Sequence, residues 1–276
     1  MPIESIQQLL AWQPAYKGFV IDQGILPLET RLVIFGSPKA WKSILSIHTA
    51  FTIALGLNWF GHKTERAAVL LFQVELPKGE FKKRVLKYSN NVAPLPSNLF
   101  FETSPYAKLD TSYGLAGLEK SILDVQARAP NLPVVIILDP AYKLMQGNIA
   151  DEQDTKRFTD NIDTLRIRYG VTTIIVHHSR KIHLDSGGKV VELGSEDMYG
   201  GELQKWCDTA IGAKLLNPFA GKDSVRLSFD LVRNAETLLS DFEVKWSRQT
   251  LHPEVTRVIT PEPDEPPTDL SVRNLA

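Results

Sequence analysis

The apolar positions of the chain fall into short continuous runs that alternate with longer helical patterns. RLVIF (31–35), RAAVLLFQVE (66–75), LFFETS (99–104), LPVVIILD (132–139) and VTTIIV (171–176) are the runs. Their length and their density in Val, Ile, Leu and Phe predict strands buried on both faces. KSILSIHTAFTIALGL (42–57) is apolar nearly all round, which suits a helix lying beneath a sheet. FKKRVLKYS (81–89) sets Phe81, Val85 and Tyr88 on one helical face, and LEKSILDVQARA (118–129) reads as a further helix. DEQDTKRFTDNIDTLRIRYG (151–170) is amphipathic and stops at Gly170. Strand and helix in alternation predict an α/β fold, a mostly parallel sheet flanked by helices. Beyond residue 176 the helical patterns fade. DTAIGAKLL, VRLSFDLVRN and DFEVKWS predict a β-rich, antiparallel C-terminal portion. The expected organisation is a lead-in over 1–30, one main domain over 31–250, and a Pro- and acid-rich disordered tail over 251–276.

The first strand runs straight into GSPKAWKS: Gly36, Ser37, Pro38, Lys39, Ala40, Trp41, Lys42 and Ser43. This is the phosphate-loop pattern G-x-x-x-x-G-K-[ST] with Trp41 in the place of the second glycine, in the required context of strand before and helix after. In such a loop, backbone N–H groups and the helix start face phosphates, Lys42 reaches the β- and γ-phosphates of ATP, and the Ser43 hydroxyl ligates Mg²⁺. Trp41 is compatible with that task if its φ is negative, as is usual near a first helical turn, and its indole points away from the phosphates. The indole would then pack on the lead-in segment or flank the nucleotide. The bland alternative is a lapsed loop whose Lys42 merely starts a helix.

Three strand ends decide between these. FQVE places Glu75 where α/β sheets bind ligands, positioned to polarise an attacking water. VVIILDP places Asp139 as the acid that holds Mg²⁺ through water. IIVHHSRK ends in His177 and His178, either of which can donate to a γ-phosphate and report its loss. Zinc is the rival for the histidines. Adjacent histidines, a lone Cys207 and no HExxH motif speak against it.

GSPKAWKS, FQVE, IILDPAYKLM and VHHSRK, in this order, resemble the motifs of RecA-like ATPases related to the hexameric plasmid replicative helicase RepA. The resemblance covers roughly residues 15 to 250 and implies a RecA-like fold. It also implies ATP hydrolysis by a homo-oligomeric ring, such as a hexamer, that acts on DNA in replication or recombination. It assigns Lys42 and Ser43 to the phosphate loop, Glu75 to water activation, Asp139 to Mg²⁺, and His178 before His177 to γ-phosphate sensing. SFDLVRNAETLLSDFEVKWS resembles the late hairpin that carries a finger into the neighbour's site, with Arg233 as the finger and Arg226 as a fallback. The relatives' second basic residue is here Leu231. Residues 181–200 match the channel-facing loop of relatives, where Arg180, Lys181 and Lys189 would meet single-stranded DNA. A solvated loop is the competing reading. The basic stretch Lys78, Lys82, Lys83, Arg84 and Lys87 reads as a solvated helix face. An ATP-binding regulatory module with little hydrolysis remains the alternative function.

Charge and composition narrow the setting. Net charge is −1 over 276 residues, so there is no global basic footprint for nucleic acid, and any such contact must be local. One cysteine excludes an intrachain disulfide, and no apolar run approaches a membrane span. The start, MPIESIQQLLAWQP, lacks the basic and apolar regions of a secretory signal. A cytoplasmic protein without a membrane segment is expected.

Overall fold

A computed structural model describes residues 3–13, 18–104, 107–179, 194–198, 201–217 and 223–261. The chain begins with helix α1 (Ile6–Ala11), capped by Ser5, and a small hairpin of β1 (Phe19–Ile21) and β2 (Leu26–Pro27). Then come β3 (Arg31–Gly36), α2 (Lys42–Leu55), β4 (Ala68–Gln73), α3 (Lys78–Ser89), β5 (Leu99–Glu102) and α4 (Ser112–Arg128). They are followed by β6 (Val134–Asp139), a short 3₁₀ turn (Ala141–Leu144), α5 (Glu152–Tyr169) and β7 (Thr172–His178). After the short α6 (Glu202–Trp206), the chain finishes in β8 (Thr209–Leu215), β9 (Ser224–Val232), β10 (Asp241–Trp246) and β11 (Pro253–Ile259).

Nine strands form one sheet in the order β11-β10-β9-β8-β3-β7-β6-β4-β5. From β8 to β5 every pair is parallel, and from β8 to β11 every pair is antiparallel. Period-two alternation splits each parallel strand between two cores. Leu32, Ile34, Val69, Leu71, Ile137 and Val176 pack with α2 and with Phe81 and Tyr88 of α3. Val33, Phe35, Leu70, Phe72, Ile136 and Ile175 pack with Leu118 and Ile122 of α4 and Phe158 and Ile162 of α5. Burial on both faces is why these strands read as unbroken apolar runs.

The helix boundaries follow from local chemistry. Thr111 caps α4 through Gly114 N, so the helix starts six residues before the apolar pattern at 118 becomes visible. Asp151 caps α5, and Gly170 ends it at φ 61°. The C-terminal boundary differs from expectation. Residues 253–259 are not tail but β11, an edge strand paired along β10, whose polar outward residues and leading proline disguise it as linker. Residues 262–276 of the expected tail lie outside the described residues. No helix of the described residues is long and apolar enough to cross a membrane.

Candidate nucleotide site

Parallel register brings the candidate residues together. Gly36 of β3 pairs with His178 of β7, and Gln73 of β4 pairs with Asp139 of β6. The carboxyl ends of four neighbouring strands therefore form one ledge, which is where open α/β sheets take ligands. Gly36 is required by the sheet itself. A Cβ there would lie 2.2 Å from the Ala213 carbonyl oxygen on β8, at a φ of +154°.

The loop that follows corrects one expectation. Trp41 has φ 59° and ψ 12°, in the left-handed region, and Lys39 is left-handed too at φ 70°. The chain must reverse its curl before α2 begins, and the residue ahead of Lys42 takes the turn. Glycine does this freely, whereas an L-residue is strained by roughly 1–2 kcal/mol. The indole finds support in the C-terminal part of the sheet. It stacks on Trp246 of β10, centroids 5.8 Å apart and planes 3° from parallel. Trp41 also lines the cleft described below.

Lys42 is buried, and its ammonium donates to the Gly36 and Ser37 carbonyls at 2.8 and 2.7 Å. Burial lowers its pKa to about 8, although Asp139 and Glu75 pull the other way. The Ser43 hydroxyl donates to Asp139 Oδ1 at 3.2 Å. Asp139 is itself buried, and burial raises its pKa to about 6 against the hydrogen bonds from Ser43 and Ser46. Its Oδ2 has no hydrogen-bond partner among the described residues.

Glu75 stands two residues beyond β4 and is exposed. Its Oε1 accepts a hydrogen bond from the Tyr142 hydroxyl at 3.1 Å. The Gln73 side chain accepts from Leu76 N at 3.1 Å and shapes the turn that presents the acid. His178 lies on the same strand face as Val176 and lines the cleft. Burial, and then Lys42, lower its pKa. His177 points to the opposite face, is fully buried, and does not line the cleft.

These groups border a cleft of about 740 Å³. Its far wall is the face of α3 that carries Glu80, Lys83, Arg84 and Lys87. Of the basic stretch expected as a solvated face, Lys82, Lys83 and Lys87 are indeed exposed, and Lys83, Arg84 and Lys87 also border the cleft. Positions 80, 83, 84 and 87 share one helical face, but only the tertiary fold shows what it looks at. Tyr142 also escaped the sequence reading, since nothing local distinguishes it from any tyrosine after a strand. Among the described residues no group of three or more His, Cys, Asp or Glu is placed to hold a metal ion.

A family model described as an AAA domain matches residues 4–183. The chain belongs to that AAA-domain family. A solved ATPase domain is similar in structure, with a TM-score of 0.64 at 11% identity over 90% of this chain and 94% of that one. A KaiC-like protein, PH0186 from Pyrococcus horikoshii OT3, is similar with a TM-score of 0.55 at 13% identity, over 87% of this chain and 97% of that one. No curated protein matches the sequence. By family and fold this AAA-family domain is a RecA-like P-loop ATPase domain, with the parallel sheet and antiparallel C-terminal strands expected of it.

Of the other candidate residues of the AAA-family domain, Arg233, Arg226 and Leu231 do not line the cleft. Val232 pairs with Thr209, which in turn pairs with Leu32, so Arg233 is level with the start of β3. That is the length of a strand from the phosphate loop, about 17 Å at 3.3 Å per residue. Its guanidinium donates to the Lys205 carbonyl. Arg226 is engaged by Asp241 through two hydrogen bonds of 2.9 and 2.7 Å. Leu231 packs against the second core. Arg180, Lys181 and Lys189, and all of 181–200 except 194–198, lie outside the described residues.

Proposed function

We propose that the chain is an ATP-hydrolysing subunit of a homo-oligomeric motor that acts on DNA in replication or recombination. The convergence of Lys42, Ser43, Glu75, Asp139 and His178 on one cleft carries this reading. About 740 Å³ falls within the range of small-molecule sites and accommodates a nucleoside triphosphate. Lys42 exchanges its two loop carbonyls for β- and γ-phosphate oxygens, and the incoming negative charge restores its ordinary basicity. Glu75 orients the attacking water and accepts its proton. His178 contacts the terminal phosphate and senses its departure at the head of the segment that leads into 181–200. The buried Asp139 carboxylate, whose Oδ1 accepts from the Ser43 hydroxyl and whose Oδ2 has no hydrogen-bond partner among the described residues, fits Mg²⁺. These two residues would hold the ion, directly or through water, and it would neutralise phosphate charge.

Two features support assembly. Arg233 sits at the opposite end of the strands from its own phosphate loop, so a finger role requires a neighbour. The helix α1 buries none of its residues and exposes Ile6, Leu9 and Leu10, an apolar surface suited to a second copy. Action on DNA, and kinship with RepA-type helicases, rest on the order of the motifs and on the match of 181–200 to a channel loop.

Steady-state ATPase with and without single-stranded DNA tests the reading. The wild type is expected to turn over ATP, faster with DNA. Glu75→Gln should lose at least 100-fold in kcat while ATP affinity stays within threefold, and Arg233→Ala should lose on the order of 10³-fold. Tight ATP binding without turnover, unchanged in Glu75→Gln, sinks the enzyme. A monomer by light scattering in saturating ATP sinks the motor. The second reading, an ATP-binding assembly module with little hydrolysis, is favoured by the strained Trp41 and the self-bonded Lys42. It predicts the former outcome together with ATP-dependent oligomers.

A further inference from the structure

We infer that Tyr142 is a positioning residue for Glu75, fixing the carboxylate that activates water and tying it to His178. The inference rests on the ATPase reading above and deepens it. Glu75 stands beyond the end of its strand, exposed, on a side chain with several rotatable bonds. Left alone, such a carboxylate samples many positions, and few of them place an oxygen against an attacking water. The Tyr142 hydroxyl removes much of that freedom by donating to Oε1 at 3.1 Å. Glu75 still lines the cleft.

Tyr142 is itself well held. It belongs to the short turn Ala141–Leu144, whose Ala141 and Leu144 are fully buried and whose Lys143 N–H bonds the Pro140 carbonyl. The ring leans on the His178 imidazole, centroids 5.3 Å apart at 52°. Asp139 lies three residues before it, so one turn joins the ends of β4, β6 and β7. Burial, and then the Glu75 charge, push the phenol up to about 12, so it remains a donor at any pH where the site works. Any movement of His178 on loss of phosphate presses on the ring that holds the acid. The phenol gains and loses no proton in the reaction. It acts only through Glu75.

The test is Tyr142→Phe, which keeps the ring on His178 and removes only the hydroxyl. A roughly tenfold fall in kcat is expected, the scale of one lost orienting hydrogen bond. The KM for ATP, the calorimetric Kd and the melting temperature should stay within twofold and about 2 °C of wild type. In a Glu75→Asp background, where the shorter acid has already withdrawn from the phenol, adding Tyr142→Phe should cost less than twofold. A kcat within twofold of wild type overturns the role, and so does the same tenfold loss in the aspartate background or a parallel rise in KM. An inactive wild type overturns the ATPase reading and this role together, whereas an active wild type indifferent to Tyr142→Phe overturns this role alone.

Discussion

Replacing Trp41 tests whether a left-handed tryptophan ahead of the phosphate-loop lysine is stabilised by its stack. Two opposing contributions are readable. The backbone at φ 59° costs roughly 1–2 kcal/mol for any residue with a Cβ. Against this, the parallel stack on buried Trp246 contributes about 0.5–1.5 kcal/mol, and the half-buried ring about 1–2 kcal/mol of apolar burial. Trp41→Ala keeps the strain and loses the contacts, so it should destabilise by about 2–3 kcal/mol. Trp41→Gly loses the same contacts but relieves the strain. Part of that relief is offset by the roughly 0.5–1 kcal/mol that glycine's freer unfolded chain costs. The glycine variant should therefore be the more stable of the two by on the order of 0.5–1 kcal/mol, the reverse of the usual ranking beside a helix. Urea melts monitored by circular dichroism resolve that difference. Heat melts should show the alanine variant about 5–10 °C below wild type. ATP affinity of Trp41→Gly by calorimetry should stay within threefold. An alanine variant as stable as the glycine variant, or either one matching wild type, refutes the assignment of strain and stack. A loss of affinity beyond tenfold would make the indole a nucleotide contact.

Two further predictions concern charge. Lys42→Ala should abolish ATP binding by calorimetry. In the wild type the ATP association constant should fall as pH rises through about 8, where the free lysine loses its proton, and stay flat below. Affinity unchanged between pH 7 and 9.5 would contradict the buried lysine. Asp139, with a folded pKa raised to about 6, lowers stability once ionised, and that penalty is absent at low pH. Asp139→Asn should thus raise the melting temperature in Mg²⁺-free buffer at pH 7.5, by on the order of 1 kcal/mol in stability, while removing Mg²⁺-dependent turnover. A lower melting temperature would count against the placement of this acid.

The parallel sheet and its ledge were legible because burial on both faces writes itself as unbroken apolar runs. The polar residue that closes each run must then emerge at the site. Asp139 and His178 close such runs and stand on the ledge. The left-handed turn at Trp41 was not, because the sign of φ there is set by how the loop meets α2, and the sequence carries no mark of it. β11 was read as linker because an edge strand alternates polar residues and tolerates proline. The view of α3 onto the cleft and the contact of Tyr142 with Glu75 join residues far apart in sequence. Neither leaves a local pattern. Of the two adjacent histidines, period two lets only one face the phosphate loop, and it is His178 that lines the cleft.

The position of β3 has a consequence for the order in which the molecule is assembled. It is the first strand of the main sheet to leave the ribosome, yet it lies between β7 and β8, the fifth and sixth of the nine strands to be made. Its partners are some 140 and 180 residues away along the chain, as in the pairs Arg31–Thr173 and Leu32–Thr209. During synthesis the phosphate loop therefore waits, attached to a strand with no neighbour, until β7 has been made, and its second edge stays open until β8 follows. Pairings this distant are slow to form, and the exposed strand is a point of vulnerability to aggregation in the meantime. Nucleotide cannot guide the early stages, because the acid, the aspartate and the histidine reach the loop only when that central gap is filled.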